Sequence, residues 1–256
     1  MGVRRRFLLI LISMAFAPLA SAQGSPQQPV IVVPDGGASG RMESIFIPPK
    51  TGAPFSFILV TEWSRLLGNG GTFTLTNERR IMRDSKGRIY QERWLLVPKN
   101  GSIKSRMDVF QITDPEQHVW LNCATATKVC ELLPYHLTTE QKFQPAIGQS
   151  GPLANGHGFH QHLDLGLGST QGEETHGYRE ITTINPGFVG NDRPMVSTRE
   201  FWYSPRLEVN LSSTVDEPQS GKQVFTVKEL TTSEPEARFF TVPADYKVVN
   251  RLNEQN

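Results

Sequence analysis

Hydrophobic and polar residues alternate along most of the chain from Phe55 onward, which is the pattern of half-buried β-strands. In the first of these segments Phe57, Leu59 and Trp63 fall on one face, and polar residues occupy the other. Turns rich in glycine, asparagine, aspartate and proline separate the segments. The strands predicted in this way are 55–64, 72–83, 88–97, 106–113, 118–123, 129–133, 177–185, 195–203, 207–214 and 223–230.

Helical patterns are nearly missing from the sequence. No stretch after residue 22 keeps an apolar period of three to four residues over a helical length. We expect only a short helix within 138–143 and a helical turn within 234–238. The succession of short strands therefore predicts an all-β fold, as a sheet, a sandwich or an open barrel.

Residues 1–22 have the pattern of a secretory signal peptide. Three arginines at 4–6 precede an apolar core at 7–19, and Ala20-Ser21-Ala22 supplies a cleavage site of small residues. The apolar core is shorter than a membrane span requires. We therefore expect cleavage after Ala22 and a periplasmic or secreted protein with no membrane span after cleavage. Position 23 is a glutamine, so the cysteine to which lipid is attached in lipoproteins is missing there.

The remaining chain is predicted to form one domain. Residues 23–50 are rich in proline, glycine and glutamine, which indicates a flexible N-terminal arm. Residues 51–250 carry the predicted strands and form a single β domain. A second glycine- and proline-rich stretch, 144–158, is expected to be a long surface loop.

Charge excludes one class of partner. The full chain has a net charge of +1, and removal of the three N-terminal arginines changes it to −2. The basic residues at 79, 80 and 83 are interleaved with Glu78 and Asp84. A nearly neutral chain without a basic stretch does not fit nucleic acid or an anionic membrane surface.

The two cysteines, Cys123 and Cys130, are predicted to form a disulfide. A tight turn at Ala126-Thr127 would place them directly opposite each other on antiparallel strands, and an oxidising compartment favours the bond. Metal ligation is the alternative, but no other cysteine or histidine lies close by in sequence to complete a ligand set.

A set of short strings resembles a family of exported bacterial β-rich proteins that has no established activity. These strings are ESIFIPP at 43–49, APFS at 53–56, TEW at 61–63, RDSKGR at 83–88, INPG at 184–187, GNDRP at 190–194, EFWYSP at 200–205 and FFTVPADY at 239–246. The resemblance covers most of the chain after the signal peptide. It implies no catalytic residues.

At the level of the fold, the last third of the chain resembles periplasmic lipoprotein carriers of the Lol type. A strand containing Trp202, a turn containing Pro205, a return strand, a further strand and a terminal Phe-x-x-Pro segment carry this resemblance. It implies a mostly antiparallel, strongly curved sheet or unclosed barrel, with one or two short helices, around an apolar cavity.

Histidines supply the only cluster with the spacing of metal ligands. His157, His160 and His162 could converge on zinc or copper if their loop folds around the metal, and Asp164 could be a fourth ligand. A solvated loop that binds no metal is the alternative. We predict no cofactor.

No motif supports catalysis. The chain has no Gly-x-Ser-x-Gly sequence, and the glycines at 68–71 are followed by neither a Lys-Ser/Thr pair nor a helix. We therefore expect that the protein is not an enzyme.

Aromatic and apolar residues on the strands are candidates for the wall of a ligand cavity, although a packed core is the alternative for each of them. The candidates are Phe57, Leu59, Trp63, Trp94, Trp120 and Trp202.

Three functions follow from these observations. The first is a soluble periplasmic binding or carrier module that holds a hydrophobic or lipid-like ligand in the concavity of a curved sheet. The second is a module with a filled core that binds an envelope protein or senses envelope stress. The third is a metal-binding protein or metalloenzyme that uses His157, His160 and His162.

Overall fold

A computed structural model describes residues 45–135 and 149–253, in which the chain forms one sheet of fourteen strands. The strands lie in one compact unit, Gly40–Asn256. Their bounds are Phe55–Leu66 (β1), Thr72–Arg83 (β2), Ile89–Trp94 (β3), Val97–Pro98 (β4), Met107–Asp114 (β5), Val119–Ala124 (β6), Val129–Pro134 (β7), Gly151–Pro152 (β8), Gly158–Thr170 (β9), Glu173–Ile184 (β10), Met195–Ser204 (β11), Val209–Glu217 (β12), Gly221–Thr231 (β13) and Lys247–Asn250 (β14).

The sheet is mostly antiparallel and is not closed. Its strand order is β14-β7-β6-β5-β3-β2-β1-β13-β12-β11-β10-β9-β8. The short strand β4 also pairs with β2, at a different part of β2 from β3. Only β14 and β7 pair in parallel among the described strands. These findings confirm the predicted all-β, mostly antiparallel, unclosed sheet.

The main core lies on the face of the sheet that carries Phe57 and Leu59, called the inner face here. Both side chains are at most 1% exposed, and they pack with Leu211 of β12, Val227 of β13 and Leu207 in the β11–β12 turn. Burial of these large side chains from the neighbouring strands β1, β13 and β12 stabilises the fold.

A hydrogen bond across the inner face shows that the sheet is curved. Arg83 Nη2, on β2, donates to the carbonyl oxygen of Leu207 at 2.7 Å. Two strands, β1 and β13, separate β2 from β12 in the sheet, so a flat sheet would hold these elements about 14 Å apart. The sheet therefore bends so that its inner face is concave here.

The opposite, outer face has its own core where β3, β5, β6 and β7 meet. Met82, Tyr90 and Phe110 form this core together with the cysteine pair. The C-terminal segment covers it, because Phe240 is buried in this cluster and Tyr246 packs against Phe110 with ring centroids 5.3 Å apart.

The cysteine hairpin has the predicted register. Cys123 on β6 lies directly opposite Cys130 on β7, and their sulfur atoms are 2.01 Å apart, at disulfide-bonding distance. Both residues are fully buried in the outer-face core. The staple therefore joins two strands that the C-terminal segment covers.

Several predictions differ from the structure. Residues 158–170 form strand β9, which the sequence did not predict because glycines at 166 and 168 interrupt its apolar pattern. Ile45 and Ile47, which precede the first strand, also belong to the main core.

Helical structure is confined to short 3-10 turns in the described part of the chain. One of them covers Ala154–Gly156, and the other, Ala237–Phe240, lies beside the helical turn predicted within 234–238. The signal peptide and the helix predicted within 138–143 lie outside the described residues. Within 45–135 and 149–253, no helix is long and apolar enough to cross a membrane.

Candidate functional site

The sheet opens between β2 and β3. Strand β2 pairs with β3 through Ile81, Met82 and Arg83, and with β4 through Leu75 and Thr76. Between these two ladders, the main chain of residues 77–80 pairs with β1 on one side and has no ladder with β3 on the other. The opening is a consequence of β3 turning away from β2 to follow β5 as far as Trp94.

Side chains bridge this opening in place of the missing ladder. Asn77 Nδ2 donates to the carbonyl oxygen of Trp94 at 2.6 Å. The main-chain N–H of Arg80 donates to Glu92 Oε2 at 3.1 Å. Glu92 also accepts hydrogen bonds from Trp94 Nε1 at 2.8 Å and from the hydroxyl of Tyr90 at 3.1 Å.

A cleft of about 700 Å³ occupies the opening. Its walls combine apolar side chains with carboxylates and guanidinium groups. They are formed by Ile58, Thr76, Asn77, Glu78, Arg79, Arg80, Glu92, Trp94, Val97, Ser105 and Glu229. Pockets for small ligands have volumes of about 300–1,000 Å³ and place a few polar groups among apolar walls, so the cleft has the size and lining of a binding site.

Burial changes the electrostatics of the cleft. Arg79 is only 6% exposed, and burial, with a smaller contribution from the neighbouring charge of Arg93, lowers the pKa of Arg79 to about 9. Burial also lowers the pKa of Arg93. On the outer side, burial and the nearby Glu92 raise the pKa of Tyr90, so its hydroxyl stays protonated and donates to Glu92.

A second depression continues the cleft along the outer face. It has a volume of about 360 Å³ and shares Ile58, Arg80 and Glu229 with the cleft. At its far end Phe239 lies under two guanidinium groups, with Arg80 at 5.6 Å and Arg238 at 5.1 Å from the ring centroid. Cleft and depression together form a groove, called the outer groove below.

The six candidate wall residues do not line one cavity. Phe57 and Leu59 belong to the packed core of the inner face. The strand register places two tryptophans, Trp63 and Trp120, on the inner face and two, Trp94 and Trp202, on the outer face. Of the six, Trp94 lines the cleft.

Two of the other tryptophans, Trp63 and Trp202, have structural contacts. Trp63 Nε1 donates to the carbonyl oxygen of Ser220 at 2.7 Å. Trp202 Nε1 donates to Glu200 at 3.1 Å, and its ring lies where side chains at Gly168 and Gly177 would be.

The three candidate metal ligands are not brought together. His157 packs against Phe188 with ring centroids 4.5 Å apart, and His160 Nδ1 is 3.0 Å from the hydroxyl of Thr182. His162 has a side chain that is 6% exposed, and its Nδ1 lies 4.0 Å from Glu180. Among the described residues, no group of three or more His, Cys, Asp or Glu side chains is arranged to hold a metal ion.

Sequence reasoning missed the charged residues of the cleft. In the sequence, Arg79 and Arg80 belong to a run of mixed charge that carries no motif. One feature of the sequence indicates the role of Arg79. Alternation along β2 places it on the same face as the fully buried Ile81, where an arginine is unusual. A charged residue at a core position of a strand is a sign of a site or a buried ion pair.

No family model matches this chain, and neither does any curated protein. Solved structures that it resembles include MucB from Pseudomonas aeruginosa in complex with MucA, at 13% identity and a TM-score of 0.36. That match covers 77% of this chain and 58% of MucB, and the structure titled "Crystal structure of MucB" is matched over 61% of its length. This chain therefore spans about three fifths of these two structures.

Lipoprotein-related structures are also among the solved structures that it resembles, as the sequence predicted. The lipoprotein LppX from Mycobacterium tuberculosis is 11% identical with a TM-score of 0.24, and the match covers 72% of this chain and 90% of LppX. A putative outer membrane lipoprotein-sorting protein domain from Vibrio parahaemolyticus is 9% identical with a TM-score of 0.17, over 72% and 88% of the two chains. At these TM-scores the likenesses establish no function.

Proposed function

We propose that this protein is a non-catalytic binding module of the cell envelope that holds an amphipathic, lipid-like ligand in the cleft between β2 and β3. The observation that carries the proposal is the cleft itself: about 700 Å³ of space beside Trp94, Ile58 and Val97, with guanidinium and carboxylate groups at its rim. An acyl chain can pack against the apolar wall, and a charged head group can pair with the guanidinium or carboxylate groups beside it.

The packed inner face supports this location over the concavity of the sheet. The described core between β1–β3 and β12–β13 contains large side chains that are fully buried, among them Phe55, Leu59 and Leu211. Opening a ligand cavity there would remove packing contacts, and the loss would cost about 2–5 kcal/mol for each large side chain. The cleft needs no such change, because its space is already present.

The proposal is tested on the protein purified after export. Native mass spectrometry should show a co-purifying amphiphile, and the delipidated protein should bind a fluorescent fatty acid, dansyl-undecanoic acid. Replacement of Ile58 by arginine places a charged chain in the cleft and should reduce binding by about tenfold or more. Ile181→Arg, on the outer face of β10 and outside the cleft, is the matched control. Wild-type protein that carries no amphiphile and does not bind the fatty acid would overturn the proposal.

A protein-interaction module is the second candidate, and the filled core together with the length of the outer groove favours it. The groove follows β2 from Thr76 to Met82 and ends at Phe239. Six residue steps along a strand span about 20 Å, which accommodates a short extended peptide. Crosslinking in cells from a photoreactive residue at position 80 should then capture a defined envelope protein. Equal capture from position 181, outside the groove, would count against this candidate.

A further inference from the structure

One corner of the sheet combines exposed apolar side chains from two stretches of the chain, 65–77 and 93–107. Leu66 and Leu67, at the turn between β1 and β2, are 77% and 45% exposed, and Ile103, in the segment between β4 and β5, is 62% exposed. Phe73, at the start of β2, and Leu95, between β3 and β4, are each 40% exposed. These five side chains are called the apolar corner.

Main-chain hydrogen bonds hold the two segments side by side. Thr76 of β2 pairs with Val97 of β4, and the N–H of Lys99 donates to the carbonyl oxygen of Thr74 at 2.9 Å. Leu95 is tied to the β4–β5 segment through its N–H, which donates to the carbonyl oxygen of Arg106 at 3.0 Å. These bonds place residues 74–76 of β2 beside residues 97–99 at this end of the sheet.

The charge around this corner is mostly positive. The segments 65–77 and 93–107 contain five basic residues, Arg65, Arg93, Lys99, Lys104 and Arg106, and no acidic residue. Glu62 neutralises one of them through a 2.7 Å contact with Lys99. The net charge of the whole chain is almost zero and therefore does not indicate this local excess of basic residues.

We propose that the apolar corner docks onto the surface of a lipid bilayer that contains anionic lipids. Protruding apolar side chains insert into the boundary between head groups and acyl chains, while lysine and arginine side chains beside them stay at the depth of the phosphates. Three of the five side chains, Leu67, Leu95 and Ile103, lie in segments that connect the strands. Such a surface suits a deformable bilayer better than a groove-binding partner.

The position of the corner relative to the cleft is consistent with this role. Trp94, Val97 and Ser105 line the cleft and belong to the same 93–107 segment that carries Leu95 and Ile103. A protein docked through the corner would hold the mouth of the cleft next to the lipid surface. The docking itself does not depend on which ligand the cleft binds.

Co-sedimentation of the exported protein with vesicles tests the proposal. Vesicles of phosphatidylethanolamine and phosphatidylglycerol should pellet the wild-type protein, and the bound fraction should fall as salt is raised. The double variant L66S/I103S should bind about tenfold more weakly. The matched control is L167S/V248S, which replaces side chains that are 74% and 46% exposed outside the corner. All these positions are exposed, so the variants should fold.

A second variant separates the charges from the apolar contacts. R65Q/K104Q/R106Q should lose the preference for phosphatidylglycerol over phosphatidylcholine vesicles while keeping the apolar corner. The corner variant L66S/I103S should still bind dansyl-undecanoic acid, because neither residue lines the cleft, so that failure of the ligand proposal and failure of this one are distinguishable. The proposal is wrong if L66S/I103S binds like the wild type, if the control loses binding equally, or if the corner captures only an acidic protein and no vesicles.

Discussion

Arg83 on β2 donates a hydrogen bond of 2.7 Å to the carbonyl oxygen of Leu207, 124 residues later in the chain. Its guanidinium also donates to the carbonyl oxygens of Ala53 and Pro48 and lies 4.8 Å from the centroid of the Phe55 ring. Burial lowers the pKa of Arg83 to about 10, and Glu208 and Tyr203 oppose this effect, so the group remains charged at neutral pH. One buried cation thus joins the N-terminal segment, β2 and the β11–β12 turn.

Replacement of Arg83 by methionine should destabilise the protein strongly. The carbonyl oxygens of Ala53, Pro48 and Leu207 would lose their donor in a buried place, which costs about 3–5 kcal/mol in total. Urea unfolding monitored by tryptophan fluorescence measures this change. Arg80→Met, on the exposed outer side of the same strand, is the control and should change the free energy of unfolding by less than about 1 kcal/mol.

Reduction of the Cys123–Cys130 disulfide should lower stability moderately. The bond closes a loop with a sequence separation of 7, and loop-closure entropy of that size corresponds to about 2–3 kcal/mol. Thermal unfolding with and without a reductant measures the difference. The C123A/C130A variant should unfold at a lower temperature than the oxidised wild type and should not respond to the reductant. A wild type that is equally stable in both conditions would contradict the prediction.

Replacement of Gly177 by alanine should disturb the packing under Trp202. A Cβ atom there would lie 2.8 Å from the indole ring, which is too close for carbon atoms. We expect a loss of about 1–3 kcal/mol in the free energy of unfolding. Gly151→Ala is the control, because a Cβ at that position meets nothing within 4 Å. Combining Gly177→Ala with Trp202→Val should recover part of the loss, and full additivity of the two changes would argue against the contact.

Replacement of His162 by phenylalanine should leave stability unchanged or raise it by about 1 kcal/mol. Both ring nitrogens of His162 are buried without a hydrogen-bond partner, and the ring packs 5.7 Å from that of Tyr178. His176→Phe is the contrasting variant, because His176 Nε2 lies 2.5 Å from Asp164 Oδ1 and this interaction would be lost. Unfolding in urea at neutral pH compares the two. A large loss in the His162 variant would show that its nitrogens have a partner in solution.

Glu173 should contribute a pH-dependent part of the stability. Burial alone would raise the pKa of Glu173, but hydrogen bonds from Arg206 and Ser204 outweigh it and lower that pKa below 4.5. Because the pKa is lower in the folded than in the unfolded state, the contribution is present above about pH 4.5 and is lost as the pH falls through the folded-state pKa.

A pH series of urea unfolding curves checks this sign. Glu173→Gln should be less stable than the wild type at pH 7, and the difference should shrink towards pH 3. The exposed neighbour Glu174 provides the control, since Glu174→Gln should follow the wild-type curve. A difference that grows on acidification would contradict the assignment.

The candidate site was only partly accessible to sequence reasoning. Trp94 was identified as a candidate ligand contact, and it does line the cleft. Arg80, Glu92 and Glu229 were not identified, because each is an ordinary charged residue in its own strand. They meet only where β3 leaves β2, and no local pattern encodes the place at which two strands separate.

The sequence by itself determined the all-β class, most of the strands and the cysteine staple. These features depend on local chemistry: the two-residue period, residues that favour turns, and a register set by the short turn between Cys123 and Cys130. Alternation within a strand shows which residues share a face.

The tertiary structure alone decided which face each strand turns inward and what covers it. Register and β-bulges between strands set the faces, so Trp63 and Trp94 fall on opposite sides although both belong to alternating strands. Because the sheet is curved, core side chains pack together on its inner face. The opening between β2 and β3 leaves a cleft on the outer side of the sheet. These outcomes arise from contacts between residues far apart in the chain, such as Arg83 and Leu207, which local patterns do not specify.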